Sequence, residues 1–109
     1  MDRSGWARGT SSSLLGGAGK CCLGFYAIAC GYTAKEISGV WDPYELVKKA
    51  GNKLPQGLVL FTEGGIRAQT DVCDAIIDTN DTHLTGDEER EKRLTELFEE
   101  IGVSVQFVG

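Results

Sequence analysis

Residues 85–109 read Thr85-Gly86-Asp87-Glu88-Glu89-Arg90-Glu91-Lys92-Arg93-Leu94-Thr95-Glu96-Leu97-Phe98-Glu99-Glu100-Ile101-Gly102-Val103-Ser104-Val105-Gln106-Phe107-Val108-Gly109, and two periodicities meet in them. Leu94, Leu97, Phe98 and Ile101 recur at helical spacing, giving an apolar stripe on one side of a helix. Asp87, Glu88 and Glu89 supply the negative charge that the first turn of a helix favours, and Thr85 and Glu88 stand at capping-box spacing. Gly102 ends that helix. Val103, Val105 and Phe107 then alternate with Ser104, Gln106 and Val108, the period of a strand with one face on the preceding helix. A helix passing straight into a strand, with no parallel βαβ repetition elsewhere, predicts an α+β fold.

Working back from there, Thr70 or Asp71 can cap a helix whose inner face is Val72, Cys73, Ile76 and Ile77, ended by a turn at Asn80-Asp81. Gly57 to Phe61 reads as a short buried strand bounded by Thr62-Glu63-Gly64-Gly65. Asp42-Pro43 is a helix start with an Asp cap and proline at the first position, and that helix runs to Gly51. Thr33 and Glu36 form a capping box for a short turn ended by Gly39. Cys22, Phe25, Tyr26, Ala29 and Cys30 fall on one helix face, with Gly31 as its stop. Trp6 to Leu15 is expected to run extended into a glycine turn, Gly16-Gly17-Ala18-Gly19, with Lys20 and Cys21 as a short return strand. The expectation is a small single compact domain over residues 1–109, residues 1–5 flexible, with short antiparallel strands packed against three or four helices.

Composition narrows the functional classes. Of 109 residues, 41% are hydrophobic and 25% charged, the balance of a globular chain rather than a disordered one. The formal net charge of -5 argues against general nucleic-acid binding, which needs clustered cations to release counterions from phosphates. No run is apolar for the ~20 residues that a bilayer span requires, so no membrane partner is expected. The stretch Met1 to Trp6 lacks the pattern of a secretory leader, which makes a cytoplasmic setting the expectation and leaves the sequon Asn80-Asp81-Thr82 without meaning. Cys21, Cys22, Cys30 and Cys73 lack the paired spacing of zinc ligands, and no cofactor motif is complete, so neither metal nor cofactor is expected.

Three groups can carry chemistry or binding. Gly16 to Cys21 resembles a phosphate-binding loop in outline, but Leu14 stands where its first glycine belongs and Cys21 where magnesium needs a hydroxyl. What survives is a loop that holds a small anion without hydrolysing it. Cys21 and Cys22 stand at a helix start beside Lys20, where dipole and charge lower a thiol pKa. A cysteine hydrolase would then need His83, the single histidine, as its base, with Asn80 or Asp81 orienting it. The plainer reading buries the thiols as small hydrophobes. Trp6 and Arg8, with Lys20, can sandwich a base or pair a phosphate. Otherwise Trp6 plugs the edge of the core and Arg8 pairs with a carboxylate. The run Asp87 to Glu91 reads as a solvated helix face, or as an acidic surface for a basic groove.

Trp6-Ala7-Arg8-Gly9, followed by Gly19-Lys20-Cys21-Cys22-Leu23-Gly24-Phe25 and Cys30-Gly31, resembles small uncharacterised bacteriophage and prophage proteins with a Cys-Cys-Leu-Gly helix start. Leu54-Pro55, Asn80-Asp81 and Glu88-Glu89-Arg90 fit the same pattern, although the double-cysteine segment carries its specificity. The resemblance implies a setting and no mechanism. With no complete catalytic constellation, the expectation is a phage-type accessory acting by binding, on a host protein or a small nucleotide, as an inhibitor of a host defence factor such as a CRISPR effector. The alternatives are a cysteine hydrolase using Cys21 or Cys22, and a structural or assembly protein whose C-terminal strand joins a partner sheet or a second copy.

Overall fold

Helix boundaries fall largely where the capping residues put them. The computed structural model of the protein describes residues 1–62 and 65–109. Helix α1 spans Cys22–Ala29 and the one-turn helix α2 spans Ala34–Ile37. In α2 the Thr33 hydroxyl accepts from the Glu36 N–H while the Glu36 carboxylate accepts from the Thr33 N–H, a complete capping box. Helix α3, Pro43–Ala50, starts on Asp42, whose side chain accepts from the Glu45 N–H at 2.8 Å. Helix α4, Asp71–Asp81, starts on Thr70, which accepts from the Cys73 N–H at 3.1 Å. Helix α5 is Asp87–Glu100.

Strands β1 (Val59–Thr62) and β2 (Gly65–Gln69) form a two-stranded antiparallel sheet, with Val59 opposite Gln69, Leu60 opposite Ala68 and a bulge between Leu60 and Phe61. The expected strand bounds at Glu63 and Gly64 lie outside the described residues. Helices beside one small antiparallel sheet make the α+β architecture, and a radius of gyration of 13.0 Å fits a single domain of this length. The core joins Leu14, Leu23, Ile37, Leu46, Leu58 and Phe98, drawn from nearly every part of the chain.

Four local expectations change. The Gly16–Gly19 turn closes through a pair of backbone hydrogen bonds, 2.9 and 3.1 Å, but no hairpin follows from it. Its flanks pair elsewhere: Lys20 bridges Trp6 in parallel sense, and Leu15 bridges Ser38. Gly19 (φ +119°) has the carbonyl of Gly5 pressed where a side chain would stand, which explains glycine there better than hairpin geometry does. Thr85 does not cap α5; Gly86 takes that place without a side-chain bond. The C-terminal segment is extended and alternates half-buried with exposed residues, yet among the described residues its only strand-type bridge to another segment is Asp2–Val108. The most buried part of α1 is Cys22, Leu23, Gly24 and Ala27, not the Phe25–Tyr26–Ala29 face. Gly24 turns the helix that way, because a Cβ there would overlap the carbonyl oxygen of Leu14.

Asn80 is no turn residue. It lies in the last turn of α4, 1% exposed, and its amide ties three segments together. Its carbonyl oxygen accepts from the Trp6 indole N–H at 2.7 Å and from the Cys22 backbone N–H at 3.0 Å. Its NH2 group donates to the Ala7 carbonyl at 3.1 Å and to the Asp81 carboxylate at 3.0 Å. The Gly9 N–H donates to its backbone carbonyl. Residues 1–5 are held as well: the 3-10 turn Arg3–Gly5 follows an Arg3 N–H bond to Val108 and a Val108 N–H bond to Met1.

Replacing Asn80 by alanine strands the indole and Cys22 donors in the core. Asn80→Ala is expected to cost about 2–4 kcal/mol in urea unfolding, since each buried unpaired group costs about 1–3 kcal/mol. A loss below about 1 kcal/mol would show that water replaces the amide.

Candidate functional site

The thiols sit deep. Cys21, Cys22 and Cys73 are buried and Cys30 half-buried, all reduced. Burial pushes the Cys21 thiol up to about 11 and Cys73 to about 12, and drives Cys22 well above its ordinary value. Loss of hydration outweighs the backbone N–H groups at the start of α1 that favour thiolate. His83 is exposed on the loop between α4 and α5, while Asn80 serves the indole and the helix start.

Trp6 is 4% exposed, with Phe107 packed against it at 5.2 Å between ring centres. Arg8 stacks on the indole at 4.5 Å and donates to the Trp6 carbonyl and to Asp87 at 3.0 Å each. Lys20 lies over the Phe25 ring at 4.8 Å. Indole, guanidinium and ammonium thus each have an internal contact. In the Gly16–Gly19 turn two of the N–H groups that would cradle an anion bond the turn itself.

The acidic run is a seam rather than a free face. Asp87 pairs with Arg8 and with Arg90, and Glu91 holds Arg3 in a two-pronged bond at 2.7 and 2.9 Å. Arg90, only 3% exposed, also donates to the carbonyls of Thr79, Thr82 and Thr85, tying the end of α4 to the start of α5. Hydrogen bonding from Arg8 holds Asp87 below the usual carboxylate range, and Arg3 does the same for Glu91.

The largest exposed aromatic lies elsewhere. Trp41 is 56% exposed immediately before the Asp42 cap of α3. Two open hollows, about 450 and 370 Å³, meet at Asp42 and Tyr44 beside it. Lys48 covers the Tyr44 ring at 5.1 Å, and the Tyr44 N–H donates to Gln69 of β2, whose amide donates on to Asp74 of α4. The shelf therefore stands on three elements. The sequence signal for it is a tryptophan in no helical stripe. Its place before the cap suits a hydrophobic staple to Leu46, but Leu46 is fully buried and Trp41 stays in solvent.

Among the described residues no group of three His, Cys, Asp or Glu converges as a metal set, and no helix is long and apolar enough to cross a membrane. Comparison with family models, curated proteins and solved structures finds no match.

Two outcomes follow from these environments. Iodoacetamide on the native protein at about pH 7.5 is expected to modify Cys30 first, and the other three thiols only after unfolding. Rapid native labelling of Cys21 or Cys22 would contradict their burial. Asp87 and Glu91 have folded-state pKa values below their ordinary 3.8 and 4.5, so their contribution is full above those values and is lost as pH falls through the lowered ones. Asp81, raised by burial, works in the opposite direction. The urea midpoint is expected to drop on acidification below about pH 4.5, and the Asp87→Asn, Glu91→Gln double variant to drop less steeply. Equal slopes would remove the seam as the source.

Proposed function

We propose that the protein is a binding module that occupies the surface of a partner protein through the Trp41–Tyr44 shelf. The exposed indole of Trp41 carries this reading. A tryptophan offers a large apolar area at little cost in conformational freedom, and such residues dominate the binding energy of protein interfaces. Asp42, Glu45, Lys48 and Lys49 border the adjoining hollow and supply the polar rim that surrounds an interface anchor. A role in blocking a host defence factor, as a phage-type accessory, is supported by the resemblance of the Gly19–Phe25 segment alone. The rival cysteine hydrolase would need a thiolate, and burial at Cys21 and Cys22 favours the thiol. A nucleotide ligand would have to be held by Lys20 at the surface, because the Trp6 ring is covered.

The test is affinity capture from bacterial lysate with the wild-type chain and with Trp41→Ala, identifying retained proteins and nucleotides by mass spectrometry. A partner retained in stoichiometric amount by the wild type and reduced about tenfold or more by Trp41→Ala is the expected result. Retention of nothing, of nucleotide alone, or of the same partner equally by both chains would sink the reading. Trp41 is exposed, so the variant should keep wild-type stability within about 0.5 kcal/mol, which urea unfolding checks.

A further inference from the structure

Two carboxylates border one hollow, and among the described residues no cation pairs with either. The hollow, about 370 Å³ beside the Trp41 shelf, is lined by Asp42 and Tyr44 at the start of α3, Ala68 and Gln69 of β2, and Asp74 of α4. Asp42 accepts from the Glu45 N–H through one oxygen, and Asp74 accepts from the Gln69 amide at 3.2 Å through one of its own. The second oxygen of each carboxylate has no partner among the described residues.

Gln69 holds this lining together. Its amide donates to Asp74, while its carbonyl oxygen accepts from the Tyr44 N–H at 3.3 Å and from the Cys73 thiol at 3.7 Å. The start of α3, β2 and α4 are therefore tied to one another at the hollow, and its carboxylates are placed before a ligand arrives, which lowers the cost of binding. Apolar surface adjoins the hollow through two of its residues. Trp41 directly precedes Asp42, and Leu60 of β1, 44% exposed, stands opposite Ala68. Residues directly opposite in an antiparallel pair share one face of the sheet.

Charge complementarity names the occupant. Helix α4 contains no lysine or arginine, and its exposed Asp71, Asp74 and Asp78 follow at helical spacing, so the negative surface continues from the hollow along that helix. Lys48 and Lys49 border the other hollow, where Asp42 and Glu45 offset them. Lys48 lies over the Tyr44 ring, and Lys49 donates to the Glu36 carbonyl. Open oxygens on two separate carboxylates suit a planar fork of donors better than a single, strongly hydrated ammonium. Arg3, Arg8, Arg90 and Arg93 each already pair with a carboxylate of their own chain, which favours an arginine from another protein over one from a second copy.

We propose that this hollow receives an arginine side chain of the partner protein, its guanidinium bridging Asp42 and Asp74, with apolar neighbours of that arginine resting on Trp41 and Leu60. The inference rests on the reading of the Trp41–Tyr44 shelf as an interface and gives that interface its charge specificity.

Nuclear magnetic resonance titration of the nitrogen-15-labelled full chain with the acetylated, amidated peptide GLRLG tests the site. Saturable shifts of the Gln69 side-chain amide and the Asp74 N–H are expected with a Kd below about 5 mM. Replacing the arginine of the peptide by uncharged citrulline should weaken binding about fivefold or more, and replacing it by lysine about threefold. The Asp42→Asn, Asp74→Asn chain should lose about fivefold as well; asparagine caps α3 as aspartate does, and urea unfolding checks that the fold is kept. The Glu88→Gln, Glu89→Gln chain makes the same change of net charge at the exposed start of α5 and should bind within about twofold of wild type. No saturable shift at these residues, equal binding of the citrulline or lysine peptide, or equal losses in the two double variants would overturn the inference. So would a concentration-dependent dimer, seen by light scattering, that the Asp42→Asn, Asp74→Asn chain lacks. In the lysate capture, a partner lost with Trp41→Ala but kept by the Asp42→Asn, Asp74→Asn chain overturns the arginine and leaves the shelf reading standing. Capture of no partner overturns the shelf reading, while the peptide titration still decides the hollow.

Discussion

One buried amide holds the arrangement together. The Asn80 side chain accepts from the Trp6 indole and from the first backbone N–H of α1, and donates to Ala7, so the N-terminal segment, α1 and α4 share one polar node. Asparagine suits this place because it offers an acceptor and two donors without charge, and a carboxylate would be costly in the same surroundings. The node also sets the register of the N-terminal segment. With the indole held at Asn80, Arg8 falls over the indole within reach of Asp87, and Arg3 reaches Glu91.

Groups that look functional in the sequence are largely the groups that assemble this chain without much sheet. Only two short strands pair in the described residues, so segments that would cross-link through a ladder are joined by side chains instead. Arg90 links α4 to the loop before α5, Arg8 and Arg3 join the N-terminus to α5, and the Tyr32 hydroxyl donates to Gly51 while accepting from the Lys53 N–H. Arginine serves this purpose well, because one planar fork can satisfy several carbonyls and a carboxylate together.

The double-cysteine segment has a packing explanation. Cys21 and Cys22 are buried as small apolar side chains, and Gly24 admits the backbone of Leu14. The glycine of the Cys-Cys-Leu-Gly start is therefore what lets α1 lie directly on the neighbouring chain at Leu14. The same close approach rotates α1, leaving part of its apolar side at the surface beside the C-terminal segment.

The helices were legible in the sequence because capping and stop signals act over three or four residues: Thr33 with Glu36, Asp42 with Pro43, Thr70, and the glycines at 51 and 102. The α+β class was legible from short strand-like runs such as Gly57–Phe61 among capped helices, although the strand expected after Gly102 joins no sheet. Strand pairing was not legible, since a bridge such as Trp6 with Lys20 or Asp2 with Val108 depends on where distant segments are delivered. Nor were the roles of Asn80, Arg90 and Trp41. A sequence states which hydrogen bonds and which apolar area a residue can offer. Whether those are met inside the fold or left for a partner is decided only when the helices have packed, and here packing took Trp6 inward and left Trp41 in solvent.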